Sequence, residues 1–448
     1  MIGRLGIMFL IIGSGYVFSV FALKSLAGMI PLPELAGIGK IDSYLQLIIG
    51  ILGFGMQTDA IRRIAVAQHW EPIFRNAQSA RITFSFLLMA FIALAWFDIF
   101  WFVLILAPIL AVSGDYGLYA RGFAITAAVI SWVRVVVPLA VCLMLAANDP
   151  AWAVAGFFVT TALTFLITNF VIAHTLKVGI WFTPTWASLK LYRQTFPIGI
   201  INLCLYFFGL GVIVIAQPFY SDPVLAVSFL ALKFYVIYKG AIRVMHQTFV
   251  SQMRDESICF TLDRMAVLFS LLVVAAIGCF PSSTITLMFG QQFLEYQLVF
   301  TEVAVAALIF SLFASLSSHL LLIHKDWALM KLCLAAVVVA VVVLAVGSAF
   351  SDSAIMLTSS LVIGELVFVT GLMLFFREHF RITPRFAFLI GCSICMVLPI
   401  MVRYFFGDSL VTLTLGLLLM GSIFLLINRQ WIFANLVYKR PNETSHDH

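Results

Sequence analysis

The chain is a succession of long apolar runs separated by short polar stretches, and within the runs the apolar residues are continuous rather than alternating. Alternation of period two over about 10 residues marks a barrel strand in lipid, whereas an unbroken run of about 20 marks a spanning helix. The pattern therefore predicts helices, about fourteen of them. They are read at 5–30, 41–60, 82–97, 99–119, 124–146, 152–174, 196–218, 224–245, 265–283, 298–323, 328–349, 354–376, 387–405 and 410–428. The stretch 82–119 reads as a hairpin turning at Phe97-Asp98, with Pro108 in the returning helix. Pro138, Pro197 and Pro399 fall within runs, where the missing backbone donor predicts a bend.

Grouping the runs gives the expected organisation. Residues 1–174 form an N-terminal six-helix lobe and 196–376 a C-terminal six-helix lobe, with two additional helices in 377–428 and a cytoplasmic tail in 429–448. Between the lobes, 175–195 mixes Trp, Lys and Arg as an interfacial amphipathic linker does. Ala60-Ile61-Arg62 and Ala241-Ile242-Arg243 close the second and eighth runs alike, which points to pseudo-symmetry between the lobes. The fold class expected is an all-α polytopic membrane protein.

Composition agrees. Of 448 residues 63% are hydrophobic and 10% charged, against about 25% charged in soluble domains. The first run is longer than a signal-peptide core and reads as a retained helix. Basic residues set the orientation. Arg4, Arg62, Arg63, Arg75, Arg81, Arg121, Lys177, Lys190, Arg193, Lys239, Arg243, Lys325, Arg377, Arg385 and Arg429 are all placed on one side. That side is expected to be cytoplasmic, with both termini. Lys40 and Arg403 are placed outside, among loops carrying Glu34, Asp42, Asp98, Asp149, Asp222, Glu295, Asp352 and Asp408.

Chemistry of the enzyme kind is missing. There is no P-loop, H-E-x-x-H or G-x-S-x-G, and Cys392-x-x-Cys395 sits in an apolar run without metal partners. No cofactor, metal or nucleic acid is expected. A membrane enzyme of polysaccharide assembly would carry a large outer loop, which the spacing of the runs does not leave.

What remains is charge inside the membrane. Lys24, Arg134 and Lys233 lie within apolar runs, at a cost of roughly 2.5–3.5 kcal/mol each on insertion scales. Arg134 cannot shed its proton, and its planar fork suits phosphate oxygens; the alternative is a structural ion pair with Glu365. Lys233 is too deep to reach either surface, whereas Lys24 can snorkel outward. Tyr235 and Tyr238 add hydroxyls for sugar or phosphate, or anchor the helix. Asn169, Asn202, Gln217, Ser311, Ser315 and His319 are candidate cavity-lining groups. Glu365 is the deepest carboxylate: it binds a coupling proton or sodium ion, or neutralises Arg134 or Lys233. Arg62 and Arg243 are candidates for gathering an anion at the cytoplasmic mouth, helped by a net charge of +6. Asp59 and Asp115, at helix ends among arginines, read as interfacial salt bridges.

Several stretches carry a resemblance. L-Q-L-I-I-G-I-L-G-F-G-M-Q-T-D-A-I-R-R-I-A (45–65), Y-G-L-Y-A-R-G-F-A-I-T-A-A-V-I-S-W-V-R (116–134), L-K-L-Y-R-Q-T-F-P-I-G-I (189–200) and F-L-A-L-K-F (229–234) are similar to polysaccharide-lipid flippases of the MOP superfamily, the type that moves O-antigen or similar repeat units. The likeness covers about 1–376. It implies a two-lobed bundle with a cavity open alternately to each side, in the bacterial inner membrane. The implied cargo is a polyprenyl-diphosphate-linked oligosaccharide, with an ion gradient as driving force and membrane lipids and other polysaccharide-assembly proteins as partners. A lipid II-type precursor flippase shares a cationic cavity. A drug or metabolite exporter of the same superfamily would be expected to carry an acid in the first helix, and 5–30 holds none.

Overall fold

The computed structural model describes residues 2–93, 100–180, 182–249, 253, 255–380 and 382–432, and every regular element among them is helical. The long helices are α1 (Ile2–Met29), α2 (Leu32–Gly53), α3 (Met56–Val66), α4 (Glu71–Ala93), α5 (Ala124–Ala146), α6 (Pro150–Leu176) and α7 (Phe196–Tyr206). They continue with α8 (Asp222–Phe249), α9 (Glu256–Cys279), α10 (Gln297–Ser311), α11 (Asp326–Phe350), α12 (Ala354–Phe375), α13 (Ile382–Ile394), α14 (Val397–Phe406) and α15 (Leu410–Ile432). Short helices at Phe100–Ile105, Ala107–Ala111 and Asp115–Ala120 carry the chain back from α4 to α5. Eleven described stretches are long and apolar enough to cross a membrane, and Leu410–Phe424 is a shorter apolar one. The chain is a multi-pass membrane protein.

Burial shows which helices are central. On α2, Leu35, Ile38, Ile41, Leu45, Ile48 and Leu52 are all buried, and on α8 so are Leu225, Phe229, Leu232, Tyr235 and Tyr238. These two helices pack on each other, and α2 also packs on α7. By contrast α6 and α11 expose rows of large apolar side chains: Leu163, Leu166, Ile167 and Phe170 on one, Val338, Val342 and Val346 on the other. Such rows are a liability in water and the expected surface in lipid.

The turns divide between two ends of the bundle. Those at Pro31, Asp149, Asp222, Asp352 and Asp408 form the acid-loop end; those carrying Arg63, Arg121, Lys177, Arg193 and Lys325 form the basic-loop end. At the acid-loop end Asp352 accepts from Ser221 N at 3.1 Å, and Asp408 from Ser282 N and Ser283 N at 2.8 and 3.1 Å.

The second run departs from expectation. Its helix starts at Leu32, behind Pro31, and stops at Gly53 rather than running 41–60. Phe54 and Gly55 take left-handed conformations, φ 30° and 76°. A Cβ on Gly55 would lie 2.8 Å from Gly199 N, so glycine is needed there for space as well as for φ. The chain then turns into the separate amphipathic helix α3. As a result Lys40 and Asp42, expected in an outer loop, are buried inside α2. Arg81 and Arg385, expected in basic loops, are buried on α4 and α13. Pro197 sits in the first turn of α7, where its lost donor was never used, and the bend comes later at Phe208-Gly209. Pro138 does lie inside α5, and Pro399 follows the break between α13 and α14. The expected turn at Phe97-Asp98 lies outside the described residues, as do Arg254 and the tail beyond 432, and Arg429 lies on α15 with its side chain outside the described residues.

Candidate functional site

Among the described residues, the charged side chains inside the bundle include a buried pairing of Arg385 on α13 with Asp263 and Glu256 on α9, and the sequence-predicted cations and Glu365 fall into three further groups, each on a different set of helices. The first surrounds Arg134 on α5. Its Nη1 donates to Asp115 Oδ2 at 2.6 Å and Ser113 Oγ at 3.0 Å, Nε to Thr168 Oγ1 at 2.8 Å, and Nη2 to Asn169 Oδ1 at 3.1 Å. The guanidinium also stacks 4.1 Å from the Phe165 ring centroid. Thr168, Asn169 and Phe165 are spaced along one face of α6, and Asp115 opens the short helix Asp115–Ala120, so all partners come from the first half of the chain. Asn169 in turn donates to Ile109 O at 2.8 Å. Nearby, Arg81 is 1% exposed and donates to Gln78 Oε1, Leu110 O and Ser113 O. Arg134 is thus paired with Asp115, not Glu365.

The second group lies in the second half. Glu365 on α12, 1% exposed, accepts from Tyr235 Oη at 2.5 Å and Lys239 Nζ at 2.7 Å, both on α8. Lys239 does not snorkel to the basic-loop end; its side chain turns inward and also donates to Phe208 O at 2.8 Å. One turn nearer the basic-loop end is Arg243, exposed. Tyr238 is buried and donates to Ala266 O, with its hydroxyl against Ser311.

The third group crosses between the halves. Lys40 on α2 pairs with Asp222 at the start of α8, 2.6 Å apart, and Asp42 on α2 is hydrogen-bonded to Lys233 on α8. Tyr44 donates to Gln217 Oε1 at 2.5 Å, and Tyr206 on α7 to Ser43 O. Lys24 on α1 donates to Leu287 O at 2.8 Å, and Gln292 to Ala27 O at 3.1 Å. A Cβ on Gly39 would lie 2.6 Å from Phe229 Cγ, so α2 and α8 meet without room for a side chain. At the other end, a Cβ on Gly240 would lie 2.2 Å from Tyr16 Oη, which brings α1 against α8.

The structure therefore gives Arg134, Lys233 and Lys24 separate partners rather than one shared cage. Arg62 lies on α3, and its side chain is outside the described residues. Asp42, Asp115, Lys239 and Asp222 were not singled out as site residues from sequence. The helical spacing of Tyr235 and Lys239, four apart on one face, was the available signal for the second group. The third was hidden by the misplaced start of α2.

The arrangement as a whole has solved counterparts. Over 95% of this chain and 99% of theirs, it superimposes on lipid II flippase MurJ in an inward closed conformation with a TM-score of 0.65 at 13% identity. Over 84% and 98% it superimposes on a multidrug resistance MATE family transporter of the MOP superfamily, inward-facing, with a TM-score of 0.53 at 16% identity. The chain shares its fold with these two solved structures. No protein-family model matches the chain, and no curated protein matches it.

Proposed function

We propose that the chain flips a polyprenyl-diphosphate-linked oligosaccharide, such as an O-antigen or other surface-polysaccharide repeat unit, from the cytoplasmic to the outer leaflet of the bacterial inner membrane. The observation that carries this reading is the seam of exchangeable ion pairs between α2 and α8, set in a fold shared with a lipid II flippase. Residues 1–174 and 196–376 act as two lobes. With the acid-loop end held shut by Lys40–Asp222 and Asp42–Lys233, the head group enters from the basic-loop end, where Arg62 and Arg243 gather it. Both termini face that cytoplasmic side.

The diphosphate is a stronger anion than one carboxylate and presents more acceptors. Lys233, held by Asp42 alone among the described residues, and Lys24, held by a backbone carbonyl, exchange these partners for phosphate oxygens. Arg134 completes the set by turning its Asp115 edge to the head group. Once Lys233 has left Asp42, the seam loses a bond and the lobes rock apart at the acid-loop end, releasing the sugar outward while the polyprenyl tail stays in lipid. No bond is made or broken in the cargo.

Mass spectrometry of lipid-linked glycans in cells lacking the protein tests this reading. One complete repeat unit accumulating on its diphosphate lipid is the expected result. An unchanged pool with normal surface glycan overturns it in favour of an exporter of small molecules, and incomplete units point to an enzyme of assembly.

A further inference from the structure

Past Tyr206 the α7 span continues through Phe207–Gly211 into the short helix Val212–Ala216, and it breaks at Phe208 and Gly209, whose φ/ψ of −70°/42° and −161°/−122° are not helical. A broken spanning helix frees backbone carbonyls, and a freed carbonyl beside a buried carboxylate is the usual makings of a cation site in a transporter. Both parts are present. Phe208 O and Glu365 Oε1 face one another, with Tyr235 Oη against the same carboxylate oxygen. The break is held closely in place: a Cβ on Gly364 would lie 2.5 Å from Phe208 Cε1, and one on Gly209 3.0 Å from Val236 Cγ2.

The position between them is filled by Lys239. Its Nζ lies 2.8 Å from Phe208 O and 2.7 Å from Glu365 Oε1, with the Tyr235 and Phe310 ring centroids 4.5 and 4.7 Å away. An ammonium in contact with a carbonyl, a carboxylate and two ring faces has the environment of a dehydrated monovalent cation. We propose that Lys239 is a tethered counter-cation, occupying the place between Glu365 and the α7 break that a dissociable alkali cation would otherwise take. The chain then binds no sodium or potassium ion there, and the sodium role open to Glu365 from sequence is excluded. The consequence for coupling rests on the transport reading above; the ion-binding claim does not.

Removing the ammonium leaves Glu365 buried with only the Tyr235 hydroxyl, and a buried carboxylate so deprived recruits a cation or a proton. The test is thermal unfolding of the full chain, purified in detergent, in sodium or potassium chloride against choline chloride at equal ionic strength. The wild type is expected to unfold at the same temperature in all three. Lys239→Met is expected to gain a rise of roughly 2 °C or more with one of the alkali ions, and Lys239→Met/Glu365→Gln to lose that response. A folded Lys239→Met that ignores both ions overturns the proposal. So does an alkali-ion response in the wild type that Glu365→Gln removes; that comparison decides the matter if Lys239→Met does not fold. Because the readout is ion binding, the result stands apart from whether the cargo is a lipid-linked glycan.

Discussion

Arg134 and Lys233 look alike in the sequence, each a lone cation in an apolar run, yet the structure treats them differently. Arg134 is held by four side chains from the same half of the chain, on α6 and the 113–115 turn. Lys233 is held across the halves by Asp42. Bonds inside one half survive any relative motion of the halves, whereas bonds across the seam must break for the halves to part. A charge buried among many partners is therefore a brace, and a charge facing one partner across a seam is a latch. In the proposed cycle Arg134 gives up only its Asp115 edge, while Lys233 gives up its whole partnership.

The largest expected effect separates these roles. Asp115→Leu strands Arg134, whose side chain is 8% exposed, without its countercharge; a loss of about 3–5 kcal/mol is expected from breaking a buried pair. It would be read as a large drop in unfolding temperature, and Asp115→Leu/Arg134→Met is expected to recover most of it. If the double variant is as unstable as the single, Arg134 is not a brace.

A middle-sized effect comes from the seam. Gly39→Val forces a side chain into the Phe229 ring, and is expected to wedge α2 from α8 without unfolding either half. Labelling of a cysteine placed at Ser43 by a membrane-impermeant thiol reagent should rise severalfold. Unchanged labelling in a folded variant contradicts the latch. Lys40→Ala is expected to cost little stability, about 1 kcal/mol or less, because the side chain of Asp222 is 46% exposed. It should act on labelling in the same direction as Gly39→Val, but less.

The smallest effect is on pH. Burial pushes the Asp408 carboxyl up, but hydrogen bonds from Ser283 and Ser282 outweigh it and hold the group below the usual carboxylate value. A carboxylate depressed on folding stabilises above its unfolded pKa of about 3.9 and loses that contribution as pH falls through the folded value. Hydrogen exchange in the 407–409 turn should therefore be flat from pH 8 to about 5 and accelerate, beyond the chemical rate, only below about 4. Asp408→Asn should remove that acid-side change.

Much of the fold was legible because a membrane imposes a single rule, that long apolar runs become helices. Helices α5, α6, α11 and α12 follow that rule within a few residues. Hydropathy failed where polar residues pair inside the bundle. Lys40 and Asp42 lower the apolar score of 32–44, so α2 was started too late, and the acids that answer Lys40 and Lys233 were assigned to loops. Lys239, six residues from the end of the run 224–245, reads from the sequence as free to reach water. Glu365 and the carbonyl freed at Phe208 explain why it turns inward, and Gly209-Leu210-Gly211, a pair of glycines that allows hinging or close helix contact, is the sequence signal for that break. The sequence thus points to lone cations inside the apolar runs, and the structure adds the partner that each one has.

The most direct test of the latch is to fix it. A Cβ on Gly39 falls 3.0 Å from Phe229 Cβ, near the roughly 3.5–4.5 Å of a disulfide. Gly39→Cys/Phe229→Cys, oxidised in membranes, joins α2 to α8 and should stop outward movement of the lipid-linked glycan, with movement restored on reduction. Full cross-linking with undiminished movement of the cargo would contradict the account.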